Sequence, residues 1–179
     1  MTHKSVNKSV LLITTLLMWA GISNVQAAQV VNDNITNHWP NSRYTVHNNG
    51  TITDTDTGLM WQQCSDGQTG DDCSGDTAST HTWQQALQLA AKDTTAGYND
   101  WRLPNIKELA SLVAYDRYRP SINEDFFPNT AIANYWSSSP YVSAANNSNN
   151  AWLVNFNNGN DNNNNRNNNN RVRLVRSGK

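Results

Sequence analysis

The 179-residue chain is poor in charge, with 15% Asp, Glu, Lys and Arg, and it has no excess of either sign: thirteen basic residues stand against fourteen acidic ones. A nucleic-acid binder is normally strongly basic, so that class is set aside. Cysteine is nearly absent. Cys64 and Cys73 are the whole supply, and the eight residues between them do not give the Cys-x-x-Cys spacing of a redox pair. The four His, at positions 3, 38, 47 and 81, show no metal-ligand or triad pattern, and Ser137, Ser138 and Ser139 are not set in a nucleophile elbow. After residue 27 no apolar run reaches the roughly 20 residues that span a bilayer, so no transmembrane segment is expected there. These absences point away from an enzyme.

What is present begins with an export signal. Lys4 and Lys8 precede an apolar run from Val10 to Ala20, and Val25-Gln26-Ala27 is a small-residue cleavage site, so residues 1–27 read as a secretory signal peptide. No Cys follows that site, so no lipid anchor is implied. Residues 28–48 read as a lead-in and 49–179 as one binding domain, large enough for a single core. In an exported chain Cys64 and Cys73 form a local disulfide, worth about 2.7 kcal/mol in the chain-entropy model. Six Trp after the signal are widely spaced and expected to nucleate the core.

Around the cysteines, Asp54, Asp56, Asp66, Asp71, Asp72 and Asp76 lie among no Lys or Arg. Six carboxylates can hold calcium, but the spacing is not a twelve-residue calcium loop and Asp also serves turns, so no cofactor is assigned and calcium is kept as a candidate ligand.

The central stretch is Gly97 to Leu112. Pro104 ends an extended piece containing Trp101 and Leu103, Asn105 is an N-cap, Glu108 completes a capping box, and Ile106, Leu109, Leu112 and Val113 recur at helical spacing. An Arg102–Glu108 ion pair, partly buried, is expected to hold the strand to the helix. A second helix spans Thr82 to Lys92, with Thr82 as cap and Trp83, Ala86, Leu87 and Ala90 on its inner face. Asp54, Asp56 and Gly58 mark a turn before a strand at Leu59-Met60-Trp61, and Tyr135-Trp136-Ser137 reads as another strand. The fold class is α+β, two helices packed on short antiparallel strands.

Asparagine dominates the C-terminal quarter: sixteen of the twenty-five residues from Asn146 to Asn170. The tract is not uniform. Trp152, Val154 and Phe156 alternate as one half-buried strand, Gly159 gives a turn, and Val172 and Leu174 alternate as a second strand, with the intervening arginines on its solvent face. Asparagine is confined to positions that a fold can spare.

Several motifs then agree with one family. Asp54-Thr55-Asp56-Thr57-Gly58-Leu59-Met60-Trp61, Trp101-Arg102-Leu103-Pro104 with Glu108, Tyr135-Trp136-Ser137-Ser138-Ser139 and Val172-Arg173-Leu174-Val175-Arg176 stand in its order. Over roughly Asn49 to Gly178 the chain resembles the bacterial extracytoplasmic domains found at the C-terminus of Legionella collagen-like protein, a domain of unknown function. The Arg-Leu-Pro step is also similar to the formylglycine-generating branch of the C-type lectin-like fold, which implies that fold here and, as an alternative function, an enzyme resting on reactive thiols at Cys64 and Cys73. Asn codons rich in adenine resemble the template state of a diversity-generating retroelement target. That likeness implies a ligand-binding face made of Asn157, Asn158, Asn160, Asn162, Asn163, Asn164, Asn165, Asn167, Asn168, Asn169 and Asn170, with an extracellular protein or glycan as partner. The collagen-like member binds sulfated polysaccharide, which offers a further alternative through a basic edge of Arg166, Arg171, Arg173, Arg176 and Lys179.

Overall fold

The computed structural model describes residues 28–143 and 149–178; the expected signal peptide lies outside them. In chain order the elements are β1 (Val30–Val31), β2 (Tyr44–Val46), β3 (Thr51–Asp54), β4 (Leu59–Gln62), α1 (Trp83–Ala90), α2 (Ile106–Ala110), β5 (Arg117–Tyr118), β6 (Asn134–Pro140), β7 (Asn150–Asn155), β8 (Asn160–Asn165) and β9 (Val175–Ser177). They form small antiparallel sheets, ordered β2-β3-β4-β9, β6-β7-β8 and β1-β5, so the class is mixed α+β.

Local signals act as the sequence indicates. The β3–β4 hairpin turns at Gly58, where φ is +67° and the N–H bonds the Asp54 carbonyl at 2.8 Å. Asp54 is fully buried and held by Arg43 through two bonds of 2.8 and 2.5 Å. Within the expected lead-in 28–48, Trp39, Arg43 and Tyr44 are buried and the Trp39 indole donates to the Ser111 carbonyl, while residues 30–38 are exposed.

Both helices open on complete capping boxes, Thr82 with Gln85 and Asn105 with Glu108. The second helix is shorter than its periodicity suggests. The Ser111 hydroxyl bonds the Glu108 carbonyl at 2.7 Å, and the chain leaves helical geometry while Leu112 and Val113 still reach the core. On α1 the inner face is Ala86, Ala90 and Leu89 beside Trp83; Leu87, expected inside, is 36% exposed.

The β6–β7 pair lies between two apolar clusters. Tyr135 faces the same way as its partner Val154, into a cluster with Leu109, Leu112 and Phe156 from the α2 side; Trp136 faces the same way as Leu153, into a cluster with Ala86, Ala90, Val172 and Leu174 from the α1 side. β7 is therefore buried on both faces and does not follow the expected one-sided alternation. Trp152, expected inside, is only half-buried.

Residues 171–177 also depart from expectation. Val172 and Leu174 make no hairpin with β7. Instead Arg171 bonds the edge of β6, through its N–H to Asn134 and its carbonyl to Trp136, and the chain then passes to β4, which β9 joins as an edge strand. This segment stitches the two sheets. Its arginines do not line a solvent face: Arg173 is fully buried and Arg176 nearly so.

Candidate functional site

On its other side from β6, β7 pairs with β8, the asparagine run itself, with a register from Asn155↔Asn160 to Asn150↔Asn165. Asparagine is a poor strand former, but pairing with a core strand overrides propensity. The hairpin between them closes at Gly159, whose φ is +78° and whose α-carbon lies so near Val113 that a Cβ would meet its Cγ1 at 2.5 Å. This explains one fixed point in the tract. Asn155 organises the same turn: its carbonyl accepts the Gly159 N–H at 2.8 Å and its side chain accepts the Asn157 N–H at 2.7 Å.

The eleven asparagines singled out from the sequence fall into two groups. Asn158, Asn160, Asn162, Asn165, Asn167, Asn168 and Asn169 are exposed, and Asn163 and Asn164 are half-buried on β8. The structure brings these nine onto one continuous hairpin and the loop after it. Two others are structural. Asn157 is half-buried in the turn, where its carbonyl accepts the Arg119 N–H at 3.2 Å. Asn170 is 6% exposed, and its backbone pairs both ways with His81 at 2.9 and 3.0 Å, so it is not a freely variable outward position.

Several neighbours of this surface were not evident as site residues. Asn150 donates to Asn163 Oδ1 at 2.7 Å and Asn149 to Asn165 Oδ1 at 3.2 Å. Trp152 shares the face of its partner Asn163 and packs edge-on with Tyr141, ring centres 5.0 Å apart. Arg166 lies over the Trp83 ring at 4.3 Å and donates through Nε to the Asn150 carbonyl. The signal that could have found Asn149, Asn150 and Trp152 is a one-residue alternation running through β7, which only the register of β8 makes readable.

The basic edge is spent internally. Arg173 donates to the Gln62 and Gln63 carbonyls, to Ser65 Oγ at 3.2 Å and to Thr130 Oγ1 at 2.8 Å, with Phe127 5.0 Å beneath it. Burial pushes its pKa down to about 10, which leaves it charged at neutral pH. Arg176 donates to Asp100 at 2.6 Å and stacks on Tyr98 at 3.8 Å, and Arg171 donates to the Ala78 carbonyl. Lys179 lies outside the described residues. Among the described residues of that edge, Arg173 and Arg176 are thus buried, and Arg166 and Arg171 are half-buried.

The two cysteines and four of the six candidate aspartates have partners within the domain, while Asp56 and Asp71 are exposed. Cys64 and Cys73 are disulfide-bonded, with Cα atoms 5.3 Å apart. Asp54 meets Arg43, Asp66 meets His81 at 2.7 Å, Asp72 accepts from Ser74 and Asp76 from Thr69, and among the described residues no three His, Cys, Asp or Glu side chains converge. The serine run is built into the sheet: Ser137 Oγ donates to the Trp152 carbonyl and Ser139 Oγ accepts the first N–H of α2. Among the described residues no helix is long and apolar enough to cross a membrane.

A family model described as the Lcl C-terminal domain matches residues 50–176 of the chain. No curated protein matches it.

Proposed function

The chain belongs to the Lcl C-terminal domain family, and from that premise we propose that it is an exported, non-catalytic ligand-binding module of C-type lectin-like arrangement. Its ligand face is the β7–β8 hairpin with the loop 167–169, and its partner is an extracellular protein or glycan. One observation carries the reading: in the tract richest in asparagine, the exposed positions are almost all Asn, while of the apolar fixed points Val154, Phe156, Val172 and Leu174 are buried and Trp152 is half-buried. Each exposed amide offers both donor and acceptor groups to hydroxyls or peptide groups. The disulfide supports an oxidising compartment.

The same division suits a diversified protein whose asparagines are a template state, with Asn158, Asn160, Asn163, Asn165 and Asn167 to Asn169 as positions that vary. The test is a library randomising those positions, displayed on cells and screened against panels of glycans and host surface proteins. Members remain folded and differ in what they bind. Binding that is identical across the library would remove the ligand face from this surface. For the diversification itself, neighbouring DNA should hold a reverse transcriptase and a near-copy of the 3′ coding segment; a locus without them contradicts it.

A further inference from the structure

β8 is the outer strand of its sheet, and among the described residues it pairs with β7 alone. An exposed strand edge presents unpaired N–H groups on which another chain can add. Here two of those groups are already occupied. The Asn163 N–H donates to the side-chain oxygen of Asn162 at 2.8 Å, and the Asn165 N–H to that of Asn164 at 2.9 Å. Each bond joins a residue to its immediate neighbour, a reach that suits the short amide of asparagine.

We infer that Asn162 and Asn164 are edge caps: their amides close the free edge of β8, and without them that edge pairs antiparallel with β8 of a second copy of the chain. The strand is self-complementary in that direction. Asn150–Asn163 and Asn149–Asn165 show that antiparallel neighbours here already bond amide to amide. Asp161, the only charged residue of β8, stands at one end of the strand, so antiparallel alignment keeps the two copies' carboxylates apart and faces each toward the end of its partner strand that leads to Arg166. Nothing in this depends on β8 being a ligand face. Its consequence is that the asparagine positions are not equivalent: a residue at 162 or 164 that lacks a side-chain acceptor changes the association state of the protein, whereas a change at 163 or 165 leaves the edge closed.

The test compares two variants that add the same apolar groups to the same strand. Asn162→Val with Asn164→Val removes both caps; Asn163→Val with Asn165→Val keeps them. In sedimentation equilibrium the first is expected to double in mass relative to the wild-type protein as concentration rises, and the second to match the wild type. Doubling in neither, or equally in both, overturns the inference. Amide exchange on single variants gives an independent reading should the first pair fold poorly. Asn162→Val is expected to speed exchange at Asn163 about tenfold and leave Asn165 unchanged, with Asn164→Val doing the converse; exchange unaltered at the neighbouring amide also overturns it.

Discussion

Two polar stretches lie six residues apart and meet opposite fates. From Asn160 to Asn165 every residue is polar, and the strand sits at the sheet's open edge; from Arg171 to Arg176 three arginines are interspersed with Val172, Leu174 and Val175, and Val172 to Arg176 are buried without a break. The three apolar residues of the second stretch account for only part of the difference, because Arg173 and Arg176 are buried with them. The second stretch can go inside because Arg173 finds two carbonyls, two hydroxyls and an aromatic face already gathered there, and Arg176 finds Asp100 and Tyr98. A buried charge is tolerated where hydrogen bonds compensate it, as four acceptors do for the two terminal nitrogens of Arg173, although its Nε has no partner among the described residues. The asparagine strand needs only one buried neighbour, β7, and can leave its own side chains outside.

The sharpest way to break this comparison is at Arg173. Arg173→Met leaves the Gln62 and Gln63 carbonyls, Ser65 and Thr130 without their donor, and is expected to cost about 3 to 5 kcal/mol in urea unfolding. Arg173→Lys should not restore it, because a point charge cannot serve four acceptors set around a planar fork. A loss under about 1 kcal/mol would mean that the buried arginine is incidental.

Next comes β7. Phe156→Ala, in the α2-side cluster, is expected to cost about 3 to 5 kcal/mol. Trp152→Ala removes a half-exposed ring resting on Tyr141, so the loss should be no more than about half as large and the protein should stay folded. Equal losses in thermal unfolding would return Trp152 to the core.

These residues also show what the sequence made legible. Both helix starts, the β3–β4 turn and the Cys64–Cys73 pair were readable because each is settled within about ten residues by caps, turn chemistry or loop closure. The Arg102–Glu108 pair was readable too, and it forms with two bonds of 2.7 Å, although the Arg102 side chain is 45% exposed and so less buried than expected. β8 was not readable as a strand, since asparagine argues against one and β7 alone supplies its register. The burial of Arg173 was hidden for the same reason: its acceptors lie 43 to 111 positions away.

Smaller effects sharpen the contrast. Replacing Cys64 and Cys73 together with Ala should destabilise by about 2.7 kcal/mol, and intact mass before and after reduction should differ by two hydrogens. Glu108→Gln should cost about 1 kcal/mol, the scale of a cap plus a solvent-screened ion pair. Burial opposes ionisation of Glu108, but Arg102 and the Asn105 N–H together hold its carboxyl below the ordinary value of 4.5. Its contribution is therefore full above that pH and is lost as pH falls through the lower folded value; the Glu108→Gln variant should show a flatter acid limb of stability against pH. An unchanged acid limb would remove the pair from the account.

The central claim is that the exposed asparagines other than Asn162 are free to change while the stretch beside them is not. The measurement that tests it most directly is a saturation scan of residues 149–177 that scores the amount of folded, displayed protein at each position. The account predicts near-complete tolerance at Asn158, Asn160, Asn165 and Asn167 to Asn169, with costs within about 0.5 kcal/mol, and sharp intolerance at Leu153, Phe156, Gly159 and Val172 to Val175. A flat profile, or one in which the asparagine positions are as restricted as Arg173, would contradict it.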